Sequence, residues 1–212
     1  MIYITTYPLT QRINPMRKLI LTTAAVAAAI AGAFAAEPSF GTLTDRRNDR
    51  VYNTMKVGAK TWMADNINFE TGASWCYDGD STNCNAYGRL YDWVTAKTAC
   101  PSGWRLPTVK EWGVFVKAVN DREVAEKKAG AKKRSDEDGY AADEFRFPAI
   151  LGGGRYRIGG EFRDIGGYSY WWAGMESANR YAYYSYVNYG YVDTVANFDG
   201  KEYGLSVRCL RD

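Results

Sequence analysis

Cys76, Cys84, Cys100 and Cys209 are the residues in this chain whose type and spacing promise chemistry most directly. An even number of cysteines behind an apolar leader reads as disulfides made outside the cytoplasm. Four cysteines allow three pairings. The favoured one joins Cys76 to Cys84, which closes a short polar loop, and Cys100 to Cys209, which ties the end of a helical run to the last strand. On the chain-entropy picture the long loop contributes about 4–5 kcal/mol and the short one about 2–3 kcal/mol. The other use of four cysteines is a zinc site, but these spacings do not suit one and the chain has no histidine. Without histidine there is no Ser-His-Asp or Cys-His catalysis and no imidazole switch near neutral pH. Catalysis would fall to carboxylates, lysine, tyrosine or a reactive cysteine. Glu161, Asp164 and Glu176 are available as a carboxylate pair, yet nothing in their spacing singles them out. No catalytic residue is assigned.

Two stretches resemble ligand loops and fall short. Asp78-Gly79-Asp80-Ser81-Thr82-Asn83 spaces oxygen ligands somewhat like a calcium loop. It lacks the glycine at the sixth position and the bidentate glutamate at the twelfth. Gly152-Gly153-Gly154, Gly159-Gly160 and Gly166-Gly167 invite a phosphate-cradling reading, but no Gly-Lys-Ser/Thr follows. Long irregular loops with positive φ are expected there. No metal and no cofactor is assigned.

Aromatic residues carry the stronger signal for binding. Tryptophan occurs at 62, 75, 93, 104, 112, 171 and 172. Those at 93, 104 and 112 lie in or beside helical patterns and belong to a core. If 171 and 172 lie on a strand, one of them points inward. Trp75 in the short disulfide loop, and one of Trp171 and Trp172, are the candidates for platforms under sugar rings. From Tyr181 to Tyr191 the chain is Tyr, Ser, Asn and Gly with little else. Alternation splits it into two faces, Tyr184 and Tyr186 falling on one of them. Both faces cannot be core, so one tyrosine row should be exposed. That composition is the one favoured in antibody-like recognition surfaces. A solvent-facing strand of high β propensity is the plainer reading. On the functional reading Tyr184 and Tyr186 bind glycan or protein, with Asn188, Asp193, Asn197 and Asp199 as polar partners.

The elements that must position these residues are partly legible. Residues 1–35 read as a signal-peptide leader starting at Met16: Arg17-Lys18, an apolar run from Leu19 to Gly32, and Ala33-Phe34-Ala35 for cleavage. No stable membrane span is expected once it is removed. The leader holds Arg12, Arg17 and Lys18 and no acid, so 27 basic residues fall to 24, matching 24 acids. A balanced chain of about 177 residues suits one domain and lacks the basic face a nucleic-acid binder needs. Residues 36–50 read as a polar lead-in and 51–212 as the domain. Val51–Val57 and Lys60–Met63 form a hairpin about Gly58. A helix is expected from about Tyr87 to Thr98. A second follows the Thr108/Glu111 capping box, buries Trp112, Phe115, Val116 and Val119, and ends near Asn120. Asp121 to Tyr140 is charge-rich and reads as a solvated segment or frayed helix. Tyr181–Tyr189, Val192–Phe198 and Leu205–Leu210 read as antiparallel strands, with Asp199-Gly200 as a turn.

Taken together, these residues resemble the Fibrobacter succinogenes major paralogous domain, an exported family. The resemblance rests on Thr61 to Asn68, Ser74-Trp75-Cys76-Tyr77-Asp78, Tyr87 to Tyr91, and Ala99-Cys100-Pro101-Ser102-Gly103-Trp104-Arg105-Leu106-Pro107-Thr108. It continues through Asp143-Glu144-Phe145, Tyr170 to Ala173 and Tyr203 to Cys209, and covers about residues 44–212. Ala173-Gly174 departs from the Ser-Ala-Thr common in that family. More broadly the chain is similar to the C-type-lectin-like fold. That resemblance implies an α+β domain with two helices against small antiparallel sheets, long irregular loops and disulfides. The Glu-Pro-Asn, Gln-Pro-Asp and Trp-Asn-Asp motifs of calcium-dependent sugar binding in such lectins are absent.

A shared fold implies little about activity. The leading expectation is a non-enzymatic module, secreted, periplasmic or at the cell surface, that binds polysaccharide or a surface protein. An enzyme or relic of the formylglycine-generating type, and a purely structural surface protein, are the other two.

Overall fold

Polar and apolar residues alternate on both sides of Gly58, and the expected hairpin forms there. In the computed structural model, which describes residues 39–128, 150–157, 159–188 and 191–212, β2 (Arg50–Val57) pairs antiparallel with β3 (Lys60–Met63). Gly58 takes φ 60°, a left-handed conformation that glycine adopts without steric cost. β1 (Phe40–Asp45) pairs along the other edge of β2. This strand lies inside the segment 36–50 that was expected to be a lead-in. Its side chains are mostly exposed, so no apolar stripe announces it. It is anchored at its end by Asp45, buried, whose carboxylate accepts from Arg47 N, Nε and Nη2. Arg47 Nη2 also donates to the Ala99 carbonyl 2.8 Å away. β12 (Leu210–Arg211) completes this sheet beside β3, in the order β1-β2-β3-β12.

The larger sheet is built on a long antiparallel ribbon, β8 (Tyr168–Ala178), β9 (Tyr181–Asn188) and β10 (Tyr191–Gly200). Beyond β8 come β11 (Leu205–Ser206), β5 (Leu90–Tyr91) and β4 (Ser74–Trp75), giving the order β10-β9-β8-β11-β5-β4. The Gly-rich stretch is part strand and part turn. Gly159-Gly160 and Gly166-Gly167 lie in turns, but Gly152-Gly153-Gly154 belongs to β6 (Gly152–Arg155), which pairs parallel with β8 and antiparallel with β7 (Phe162–Ile165). Positive φ does occur at Gly153, Gly159, Gly160 and Gly166. At Gly153 it is required: a Cβ there would sit 2.3 Å from the Arg163 carbonyl oxygen.

Three α-helices are seen among the described residues: α1 (Ser81–Tyr87), α2 (Trp93–Ala99) and α3 (Val109–Lys128). The helix expected from about Tyr87 begins only at Trp93, because α1 ends at Tyr87 and Leu90–Tyr91 is strand β5. Gly88 at φ 80° ends α1, and a Cβ at that position would meet the Ile67 carbonyl oxygen at 2.9 Å. Asp92 then starts α2, its carboxylate accepting from Thr95 N at 2.7 Å. The capping box forms as read. Glu111 N donates to Thr108 Oγ1, and Thr108 N donates to Glu111 Oε2. Arg105 forks onto both Glu111 oxygens, and its hydrogen bonds hold that carboxyl down at about 2. Trp112, Phe115 and Val116 are buried as expected. α3 runs past Asn120 to Lys128; the side chain of Val119 and residues 129–149, with most of the charge-rich stretch, lie outside the described residues. So do residues 1–38, which hold the expected leader.

Among the described residues twelve strands and three α-helices, two of them seven residues long, make a mostly-β architecture. This corrects the expected α+β C-type-lectin-like layout of two helices on small sheets. The strands expected over 181–189 and 192–198 form, as β9 and β10, and β8 joins them into one extended ribbon where an irregular loop was expected up to Trp172. Two hydrophobic cores lie on its two faces. One gathers Tyr52, Tyr91, Trp93, Trp104 and Trp172; the other gathers Trp62, Trp112, Phe115 and Trp171. Trp171 and Trp172, neighbours on β8, are therefore both buried, at 1% and 0% exposure.

The disulfides are Cys76–Cys84 and Cys100–Cys209, the favoured pairing, with Cα–Cα distances of 5.0 and 5.8 Å. Such bridges belong to a chain that folds in an oxidising, non-cytoplasmic compartment. Among the described residues no helix is long and apolar enough to cross a membrane.

Candidate functional site

Strand register brings four tyrosines to one place. β8 sets Tyr170 opposite Tyr186 and Trp172 opposite Tyr184; β10 sets Asn197 opposite Tyr184 and Asp199 opposite Ala182. An antiparallel bridge between Arg155 and Gly204 carries Tyr156 and Tyr203 to the same side, ring centroids 5.4 Å apart. Glycine is needed at 204, where a Cβ would lie 2.9 Å from the Arg155 Cβ and 3.1 Å from the Trp75 ring. The outcome is a shallow open pocket of about 40 Å³, lined by Gly154, Tyr156, Tyr170, Tyr184, Asp199, Tyr203 and Leu205.

The rings are fixed from behind. Tyr170 packs edge-on to Tyr184 at 5.9 Å, and Tyr184 packs edge-on to the buried Trp172. Tyr156 and Tyr170 both donate their hydroxyls to Asp164 Oδ2, each at 2.9 Å. Asp164 itself holds φ 72°, a backbone region that costs a non-glycine residue about 1–3 kcal/mol. Burial and the Asp164 carboxylate push the Tyr156 and Tyr170 hydroxyls above their ordinary range. Burial, then the charge of Asp199, pushes Tyr184 up to about 12. These phenols are neutral at physiological pH. Asp199 Oδ1 accepts from Gly200 N at 2.8 Å, which orients the carboxylate. Two arginines at the rim stand beside acids, while a third, Arg155, stacks on Trp75. Arg157 faces Glu202 at 3.9 Å, and Arg163, over the Tyr156 ring, pairs with Glu161.

The residues picked from sequence fall unevenly on this geometry. Tyr184 lines the pocket, and Asp199 with it. Tyr186 is half-buried, its ring 6.3 Å from that of Tyr170, and Asn197 stands opposite Tyr184. Trp75 is half-buried beside the pocket, with the Arg155 guanidinium 4.3 Å over its ring. Trp171 and Trp172 cannot be platforms, because both are enclosed by core. The expectation of one exposed tyrosine row fails for the same reason. Ala182 and Tyr184 pack on one core, Tyr183 and Val187 on the other. Asn188 and Asp193 lie on β9 and β10, but their side chains lie outside the described residues. Sequence reasoning missed Tyr156, Tyr170 and Tyr203. The only signal for two of them was glycine beside an aromatic, Gly152-Gly153-Gly154 near Tyr156 and Gly204 after Tyr203, where close backbone approach lets the rings meet.

A second concavity, of about 170 Å³, is lined by Arg50, Tyr52, Asp65, Asn66, Asn85, Gly88 and others. Its polar groups already serve the fold. Asp65 accepts from Asn53 N, and Arg50 donates to the Asn85 carbonyl. Asp80, in the calcium-like loop, caps α1 by accepting from Thr82 N. No three His, Cys, Asp or Glu side chains converge on a metal-sized site among the described residues.

A family model described as Fibrobacter succinogenes major domain matches residues 55–211. No curated protein and no solved structure matches the chain.

Proposed function

The chain belongs to the Fibrobacter succinogenes major domain family, and from that premise we propose that it is a non-enzymatic binding module that holds polysaccharide in its tyrosine pocket. The observation that carries this reading is the meeting of four tyrosine rings and one carboxylate around a single open cavity. Saccharides present C–H faces that pack on aromatic rings and hydroxyls that pair with a carboxylate. The cavity holds about 40 Å³, well below the about 300 to 1,000 Å³ of enclosed ligand pockets, so it receives part of one sugar ring of a longer chain. Its rings are braced by Asp164 and Trp172 before any ligand arrives, which lowers the ordering cost of binding. A non-cytoplasmic chain meets such polymers at the cell surface or in the medium.

Formylglycine-type oxidation is less well supported, because it requires a reduced cysteine pair. All four cysteines are in disulfides and Cys209 is fully buried. Retention on insoluble polysaccharides tests the binding reading and separates it from a structural surface role. Tyr184→Ala and Tyr203→Ala should each reduce retention about tenfold, the scale of a binding hot spot. Near-UV circular dichroism should stay that of a folded domain. Tyr186→Ala, outside the pocket lining, should do less. Unchanged retention in the first two variants would remove the pocket from the binding site.

A further inference from the structure

We propose that the tyrosine pocket selects uncharged saccharides, which donate hydroxyl hydrogens to it, and turns away uronic-acid polymers; this rests on the polysaccharide-binding reading above. The argument is a count of donors and acceptors. A carboxylate can only accept hydrogen bonds, and a tyrosine hydroxyl has one hydrogen to give. Tyr156 and Tyr170 both give theirs to Asp164 Oδ2. What they can offer a ligand is lone pairs. Asp199 offers a carboxylate, and its charge is the only formal charge among the described lining residues. Among the described residues no lysine or arginine lines the cavity; of the arginines outside it, Arg157 and Arg163 stand beside Glu202 and Glu161, and Arg155 stacks on Trp75.

A sugar hydroxyl suits such a wall, since it can donate to Asp199 and to the phenolic oxygens. A uronate carboxylate does not. It would lose its water and face another carboxylate at close range, with no cation among the described lining residues to offset either cost. Like charges placed together in this way are a common source of specificity.

The test compares retention of the folded protein on uncharged polymers (cellulose, mannan, xylan backbone) and acidic ones (polygalacturonate, alginate) at neutral pH. Only retention that Tyr203→Ala lowers is counted, so that binding elsewhere does not enter. The expected result is retention on at least one uncharged polymer, about tenfold or more above that on either acidic polymer, the size of one lost charged contact. Asp199→Asn keeps the amide-accepting oxygen for Gly200 N and removes the charge. It should narrow that preference about tenfold. Equal or stronger pocket-dependent retention on acidic polymers would overturn the selectivity and leave the binding reading standing. So would an unchanged preference in Asp199→Asn. Retention on none of the polymers would sink the binding reading and the selectivity with it.

Discussion

Replacing Cys100 and Cys209 together by alanine should lower the unfolding free energy by about 3–5 kcal/mol. The bridge spans 109 residues of sequence and its ends are 5.8 Å apart at Cα. Cutting it returns a long loop's worth of freedom to the unfolded chain. It also opens the folded state where two elements meet. Cys100 closes α2, and Cys209 is fully buried one residue before β12, with its carbonyl accepting from Met63 N. The same strand end is held by the Arg105–Leu210 bridge, so the loss should not be total. Cys76 and Cys84 are only eight residues apart. Their joint replacement should cost about 2–3 kcal/mol. Urea denaturation of the two double variants beside the oxidised parent gives both values. A larger loss from the short loop than from the long one would contradict the chain-entropy argument.

Asn66→Ala should be comparably damaging although it removes only a small side chain. Asn66 is 3% exposed and joins four partners. Its Oδ1 accepts from Trp171 Nε1 at 2.8 Å and from Arg208 Nε at 2.9 Å. Its Nδ2 donates to the Tyr87 carbonyl at 2.8 Å and lies 3.4 Å from Ser206 Oγ. Arg208 is wholly buried, and burial lowers its pKa to about 9. Taking an acceptor from a buried guanidinium costs about 3–5 kcal/mol. For a domain of this size that corresponds to a fall in melting temperature of about 6–20 °C. Asn66→Asp keeps both acceptor bonds and loses the donor to Tyr87, so it should cost clearly less than alanine. Equal losses in the two variants, read by thermal denaturation, would mean that the bonds to Trp171 and Arg208 are not what matters.

Local chemistry was readable in the sequence and long-range pairing was not. Thr108 and Glu111 announce their helix because both halves of the cap lie within four residues. The hairpin about Gly58 is legible for the same reason. The break at Gly88 was lost among helix-forming neighbours, although Asp92 and Thr95 carry a cap of their own. Trp171 and Trp172 misled because alternation was taken to mean one wet face. Only the packing of α3 against the ribbon on one side, and of α2 and β5 on the other, shows that neither face is wet. The fold class went astray at β4, β5, β11 and β12. Each is two residues long and exists only because distant strands supply its partners. The pocket has the same history. Tyr156, Tyr170, Tyr184 and Tyr203 come from β8, β9 and two loops, and nothing within a window of sequence relates them. Tyr184 and Asp199 were within reach because the ribbon's composition drew attention to them.

Hydroxyl-radical footprinting of the protein, free and bound to an uncharged polymer that retains it, puts the site itself to the question. Tyr184 and Tyr203 should be oxidised more slowly when bound. Tyr181 and Phe198, exposed on the same ribbon at 44% and 56%, should react as fast as in the free protein. Protection of Tyr181 and Phe198 with no change at Tyr184 and Tyr203 would place the ligand elsewhere and contradict the tyrosine pocket as its seat.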